Sequence, residues 1–134
     1  MAAPTSLIIN SAFTEPQQHW AENADRTLRL EPARRPAGYE IIDTRENTRR
    51  QVPIPLVDTI RDRVRQWRLD GWPGTTAVTL GLLQHWWDAD KVSRRQWPFY
   101  FCQLEAIETL IWHLEALPEY RQGIHIQGDG GEFE

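Results

Sequence analysis

The chain has one cysteine, Cys102, and one lysine, Lys91. A lone cysteine excludes an intramolecular disulfide and any zinc site built from several thiolates. No apolar run approaches the ~20 residues of a transmembrane helix. The short run Leu7-Ile8-Ile9 has no basic cluster ahead of it. It does not read as a secretory signal, so the expected compartment is the cytoplasm and no membrane partner is expected. The four histidines, His19, His85, His113 and His125, stand at no metal-ligand spacing from one another or from Cys102. There is no dinucleotide fingerprint, no phosphate loop carrying lysine and no nucleophile elbow. Glycines at 128, 130 and 131 lack the lysine and the following helix that a phosphate loop needs. A motor or hydrolase complete within these 134 residues is not expected, and no catalytic or metal-binding residue is assigned.

Two residue types are abundant instead. Fourteen of the fifteen basic residues are arginine, and there are seven tryptophans. Arginine suits planar, bidentate partners such as carboxylates and phosphates, and tryptophan brings large buried area. Charge is unevenly spread. From Arg26 to Arg68 eleven arginines face six acids, whereas from Gln96 onward one arginine faces seven acids. The basic front suits a phosphate backbone. The competing reading is self-neutralisation, with Asp58–Arg61 and Asp62–Arg65 as i,i+3 pairs on a solvated helix face.

The hydrophobic pattern predicts a mainly α chain of about three amphipathic helices, near 56–69, 76–88 and 102–117. They follow a long proline-rich, largely irregular segment, 1–55, with at most one or two short strands. Six prolines interrupt that segment, and Tyr39-Glu40-Ile41-Ile42-Asp43 is its best strand. Gly71 and Pro73 stop the first helix, Thr75 or Thr76 caps the second, and Pro118 marks the end of the third. Residues 90–96 read as a polar connection and 119–134 as a turn-rich tail. Facing stripes predict a buried set of Val57, Ile60, Val64, Trp67, Leu82, Trp86, Ile107, Ile111 and Leu114, with Leu104, Leu110 and Leu117 extending the third face.

The chemistry-bearing segment is 97–112, within the helical region 56–118. There an aromatic run, Trp97-Pro98-Phe99-Tyr100-Phe101, meets Gln103 on the first turn of a helix. A glutamine amide carries a donor and an acceptor side by side and can pair with an adenine edge. A neighbouring aromatic plane can stack on the ring. The plainer alternative is that Gln103 only starts the helix while Phe99 and Phe101 belong to the core.

The run Phe101-Cys102-Gln103-Leu104-Glu105-Ala106-Ile107-Glu108-Thr109-Leu110-Ile111-Trp112 resembles the segment ahead of the ATPase core in the DEAD/DEAH-like (type III) restriction endonuclease subunit R proteins, relatives of superfamily 2 helicases. The resemblance extends through Asn10-Ser11-Ala12-Phe13, Glu15-Pro16, His19-Trp20, Arg34-Arg35-Pro36-Ala37-Gly38-Tyr39 and Asp43 to Pro55, so it spans nearly the whole chain. It implies that Gln103 is the adenine contact of a Q motif. Many relatives carry tyrosine before that glutamine. Here it is Cys102, which leaves Phe99 and Phe101 as candidate stacking partners.

The resemblance further implies an incomplete part of an α/β RecA-like helicase. Its phosphate loop, magnesium ligands and nuclease motif would lie downstream, so an N-terminal fragment is expected, inactive alone. ATP and magnesium would then be cofactors of the intact parent. DNA, the rest of the helicase/nuclease core and a methyltransferase (modification) subunit would be its partners. The alternative from another class is a stand-alone helical module, without enzymatic activity, that binds DNA or an acidic partner through its arginine-rich front.

Overall fold

The computed structural model describes residues 7–88 and 98–126. Two β-hairpins come first. Strands β1 (His19–Glu22) and β2 (Leu28–Glu31) pair antiparallel, with Trp20 opposite Leu30. Strands β3 (Gly38–Asp43) and β4 (Thr48–Pro53) pair antiparallel, with Ile41 opposite Arg50. They form two separate two-stranded sheets. Helices α1 (Pro55–Leu69), α2 (Ala77–Trp87), α3 (Phe101–Glu115) and the single turn α4 (Pro118–Arg121) follow. The chain is therefore a small mixed α/β fold, and no described helix is long and apolar enough to cross a membrane.

The hairpins correct the expectation of an irregular opening with one or two strands. Both are set by their turns. Asn23 N–H donates to the Thr27 carbonyl, Thr27 N–H donates to Asp25, and Arg26 takes a left-handed φ of 67°. In the second hairpin the Asp43 carboxylate accepts the N–H groups of Arg45 and Glu46, and Asn47 sits at φ 54°. Asx turns and αL residues of this kind reverse a chain without Asn-Gly or Asp-Gly pairs. Strand β3 lies on Tyr39–Asp43, the segment expected as a strand. The other three are four to six residues long, too short for alternation to set them apart from loop, and every β3 residue is exposed.

The three long helices match the expected spans closely. Pro55 occupies the first turn of α1, where its missing N–H costs nothing. Gly71 at φ 86° lets the chain leave α1, and Thr76 caps α2 by accepting Thr79 N–H. Gly74, at φ 98°, lies where a Cβ would come within 2.7 Å of the Glu115 carbonyl oxygen. Pro118, three residues beyond Glu115, the last residue of α3, opens α4. The polar connection expected at 90–96, Trp97, and Gly128, Gly130 and Gly131 of the tail lie outside the described residues.

The core joins Val64 and Trp67 of α1, Trp72, Leu83 of α2, and Trp112 and Ala116 at the end of α3. Here the expected buried set is only partly right. Val64 and Trp67 are buried, and Val57, Ile60, Trp86, Ile107 and Ile111 are half-buried. Leu82 is exposed and its neighbour Leu83 is buried instead. On α3 the packed row is Phe101, Leu104, Glu108 and Trp112, while Leu110 and Leu114 are 59% and 68% exposed. The helix is turned by about one residue, ~100°, from the face expected. Glu108 explains the error: a charge in the packed row made that row look polar, and only a partner from α1 permits its burial.

Candidate functional site

The start of α3 carries Phe99, Phe101 and Gln103, and the three are treated differently. Gln103 is exposed on the first turn, and its Oε1 accepts the N–H of Tyr100 at 3.0 Å. This is half of a capping box: the side chain at the third helical position satisfies the backbone donor of the N-cap. The amide nitrogen makes no hydrogen bond within the described residues and remains a donor. Phe101 is buried, with the edge-on ring of Trp87 at 6.2 Å and the Arg34 guanidinium 5.4 Å from its centroid. Only 5% of the residue is exposed, so stacking on a ligand ring would need this packing to open. Phe99 is half-buried, edge-to-face with Trp86 at 6.0 Å. The open aromatic surface beside Gln103 belongs to Tyr100 and Phe13, whose rings stack at 5.3 Å with 52% and 43% of each residue exposed.

Beneath this surface lies a chain of arginines and carboxylates. Arg34, from the loop after β2, makes a two-pronged contact with Glu105 on α3 at 2.6 and 2.8 Å. It also reaches Glu15 at 3.3 Å. Arg65 of α1 donates to the same Glu15 oxygen, and Arg61 approaches Glu105 at 3.8 Å. One turn further along, Arg68 donates to both oxygens of Glu108 at 2.9 and 2.8 Å, and the Trp72 indole N–H adds a third bond at 2.9 Å. The Arg68 guanidinium lies 3.9 Å above the centre of the Trp87 ring. Arginine, with five donors in a flat fork, can satisfy a carboxylate and cover an aromatic face at once; lysine cannot.

Comparison with family models, with curated proteins and with solved structures yields no match in any of the three. The site is therefore read from its own geometry and from the sequence resemblance. Among the described residues no group of three or more His, Cys, Asp or Glu side chains is arranged to hold a metal ion. His19 donates from Nδ1 to the Ala33 carbonyl at 2.6 Å, a structural contact that fixes the first hairpin against the following loop.

The network answers part of the charge question. Of the arginines between 26 and 68, Arg29, Arg34, Arg49, Arg61, Arg65 and Arg68 each meet a carboxylate. Self-neutralisation accounts for most of the basic front. The residues that sequence reasoning missed are Glu15, Arg34, Glu105 and Glu108. A signal for the last two was present: Phe101, Leu104, Glu105, Glu108 and Trp112 fall at helical spacings of three and four. Nothing local announces that Glu15 and Arg34, far back in the chain, would meet them.

The ion pairs of Glu15 have a pH signature. Burial pushes its carboxyl up, but hydrogen bonds and charge attraction from Arg65 and Arg34 together outweigh that and hold it below its ordinary range. A depressed carboxyl stabilises the fold in full above its unfolded value. The contribution disappears as pH falls through the lowered folded value. The Tm gap between wild type and Glu15→Gln should thus be constant above about pH 5 and close on acidification. Thermal melts from pH 7 to pH 3 test this, and a gap that widens in acid contradicts it.

Proposed function

We propose that this chain is the leading region of an ATP-dependent helicase- or translocase-type restriction endonuclease subunit, in which the start of α3 brings Gln103 to the adenine of ATP. One observation carries the reading: the Gln103 amide is fixed at its oxygen by Tyr100 N–H, while its nitrogen, on an exposed first turn, has no partner among the described residues. The resemblance of 101–112 and of the preceding segments to the type III subunits supports the same reading. Anchoring one end of an amide orients the other, which favours selective contact with a base edge. The residues described fit only the adenine end of ATP. Its phosphates and magnesium would be held elsewhere in the parent, where hydrolysis supplies the energy for movement on DNA. DNA and a modification subunit are partners of that parent under this proposal.

Two substitutions separate the adenine role from the helix-start role. Gln103→Glu keeps an oxygen for Tyr100 N–H and so keeps the cap, but loses the amide donor. Gln103→Ala loses both. In the intact subunit, with DNA present, Gln103→Ala should narrow the preference for ATP over GTP by about 1 to 3 kcal/mol in kcat/KM, whereas Gln103→Glu, which loses the donor to a ring nitrogen that both purines share, should weaken use of ATP and GTP alike. Only the alanine variant should also lower Tm. An unchanged ATP:GTP ratio in Gln103→Ala would leave Gln103 as a capping residue alone.

A second reading, a stand-alone module for DNA or an acidic partner, has narrower support. Arg26, Arg45, Arg50 and Arg63 make no ion pair with the described residues, and Arg45 and Arg50 project from the second hairpin. Salt-sensitive DNA binding by the isolated chain, reduced by Arg45→Ala and Arg50→Ala, would favour it.

A further inference from the structure

We propose that residues 7–16 form a detachable strap, latched to the helices by the Glu15 carboxylate, whose release uncovers the start of α3. Among the described residues, three strap contacts reach the start of α3 or the arginines beside it. Glu15 binds Arg34 and Arg65. The Ala12 carbonyl accepts Phe101 N–H at 2.9 Å, capping a helix donor that α3 cannot satisfy itself. Phe13 lies flat on Tyr100. No strap residue is fully buried, and Leu7 and Ile8 are 73% and 83% exposed. The attachment is thus mostly polar, and segments with little apolar burial occupy the low end of local stability. Among the described residues, bonds from Trp20 Nε1 to the Leu7 carbonyl, from Gln18 Nε2 to the Ile9 carbonyl and from Asn10 Nδ2 to the Gln18 carbonyl tie the strap to β1 and the residue before it.

What makes the latch separable is the second partner on each arginine. If Glu15 leaves, Arg34 keeps both oxygens of Glu105, and Arg65 keeps Asp62 at 2.8 Å. Breaking a buried ion pair is costly because it strands a charge; here neither cation is stranded. Glu15 itself goes to water. Opening also frees one face of Tyr100 and the N–H of Phe101, both beside Gln103. That consequence for nucleotide access rests on the function proposed above, whereas the latch does not.

Native-state hydrogen exchange on the whole chain, without nucleotide, tests the latch. In Glu15→Gln the Phe101 amide should exchange roughly tenfold faster than in wild type. The amides of Trp72 and Ala116, bonded to Trp67 and Trp112 in the core, should be better protected than Phe101, and Leu83→Ala, which loosens the core, should speed them while leaving Phe101 at its wild-type rate. Arg65→Met, which removes a Glu15 partner, should speed Phe101 as Glu15→Gln does. Unchanged exchange at Phe101 in Glu15→Gln overturns the proposal, as does joint acceleration of all three amides in Leu83→Ala, which would mean that Phe101 opens only with the global fold. Because no nucleotide is used, failure here leaves the adenine reading standing, and a failed ATP:GTP test leaves the strap standing.

Discussion

Replacing Glu108 with alanine should cost the fold about 3 to 5 kcal/mol, the range for removing one partner of a buried ion pair. Glu108 is fully buried and accepts three bonds, two from Arg68 and one from the Trp72 indole. Alanine leaves the Arg68 guanidinium in a largely enclosed position without its carboxylate and leaves a buried indole N–H without an acceptor. It also removes the contact that holds Trp72, a bulky residue at φ 56°, where the backbone is strained for any non-glycine side chain. Glu108→Gln keeps the volume and an acceptor but not the charge, so it should lie between wild type and alanine. Urea unfolding of the three proteins gives the order directly. A loss below about 1 kcal/mol for alanine would mean that Arg68 and Trp72 find other partners, and the account of the core would fail.

This buried glutamate also marks the limit of what the sequence discloses. Helix positions follow from local signals: prolines at 55 and 118, glycine at 71 and the Thr76 cap act within a turn of where they stand. The expected helix spans therefore agree with α1, α2 and α3 to within two residues. Which face of α3 packs is not local. Ile107, Leu110, Ile111 and Leu114 are the more apolar choice by composition, yet Phe101, Leu104, Glu108 and Trp112 are buried. Arg68 converts a polar position into a packable one from forty residues away. In the hairpins, β3 is legible as the Tyr39–Asp43 strand, whereas β1 and β2 are only four residues long and β4 is polar on both faces, so their pairing does not show locally. At the candidate site, the glutamine and the aromatic run were legible as a segment. The use of its members was not, because the burial of Phe101 depends on Arg34 and Trp87, and the exposure of Tyr100 depends on Phe13 arriving from the strap.

The same reasoning fixes the contrast expected between Trp67→Ala and Leu114→Ala. Trp67 is fully buried where α1 meets the loop into α2, and its indole N–H donates to the Pro73 carbonyl at 2.9 Å. Its loss opens a large cavity, and the surrounding Val64, Leu83, Trp112 and Ala116 can close it only partly. A cost of about 3 to 5 kcal/mol follows from truncation of a buried tryptophan. The freed Pro73 carbonyl adds to the cost if water cannot reach it. Leu114, by contrast, is mostly exposed, and its truncation should change stability by no more than about 0.5 kcal/mol. Urea melts of both variants decide which face of α3 the protein uses. A Leu114 effect of about 2 kcal/mol or more would mean that the face is covered in solution, by a second copy or by intramolecular contacts. Dilution distinguishes the two, because a stabilising contact between copies makes the midpoint depend on protein concentration, whereas packing within one chain does not.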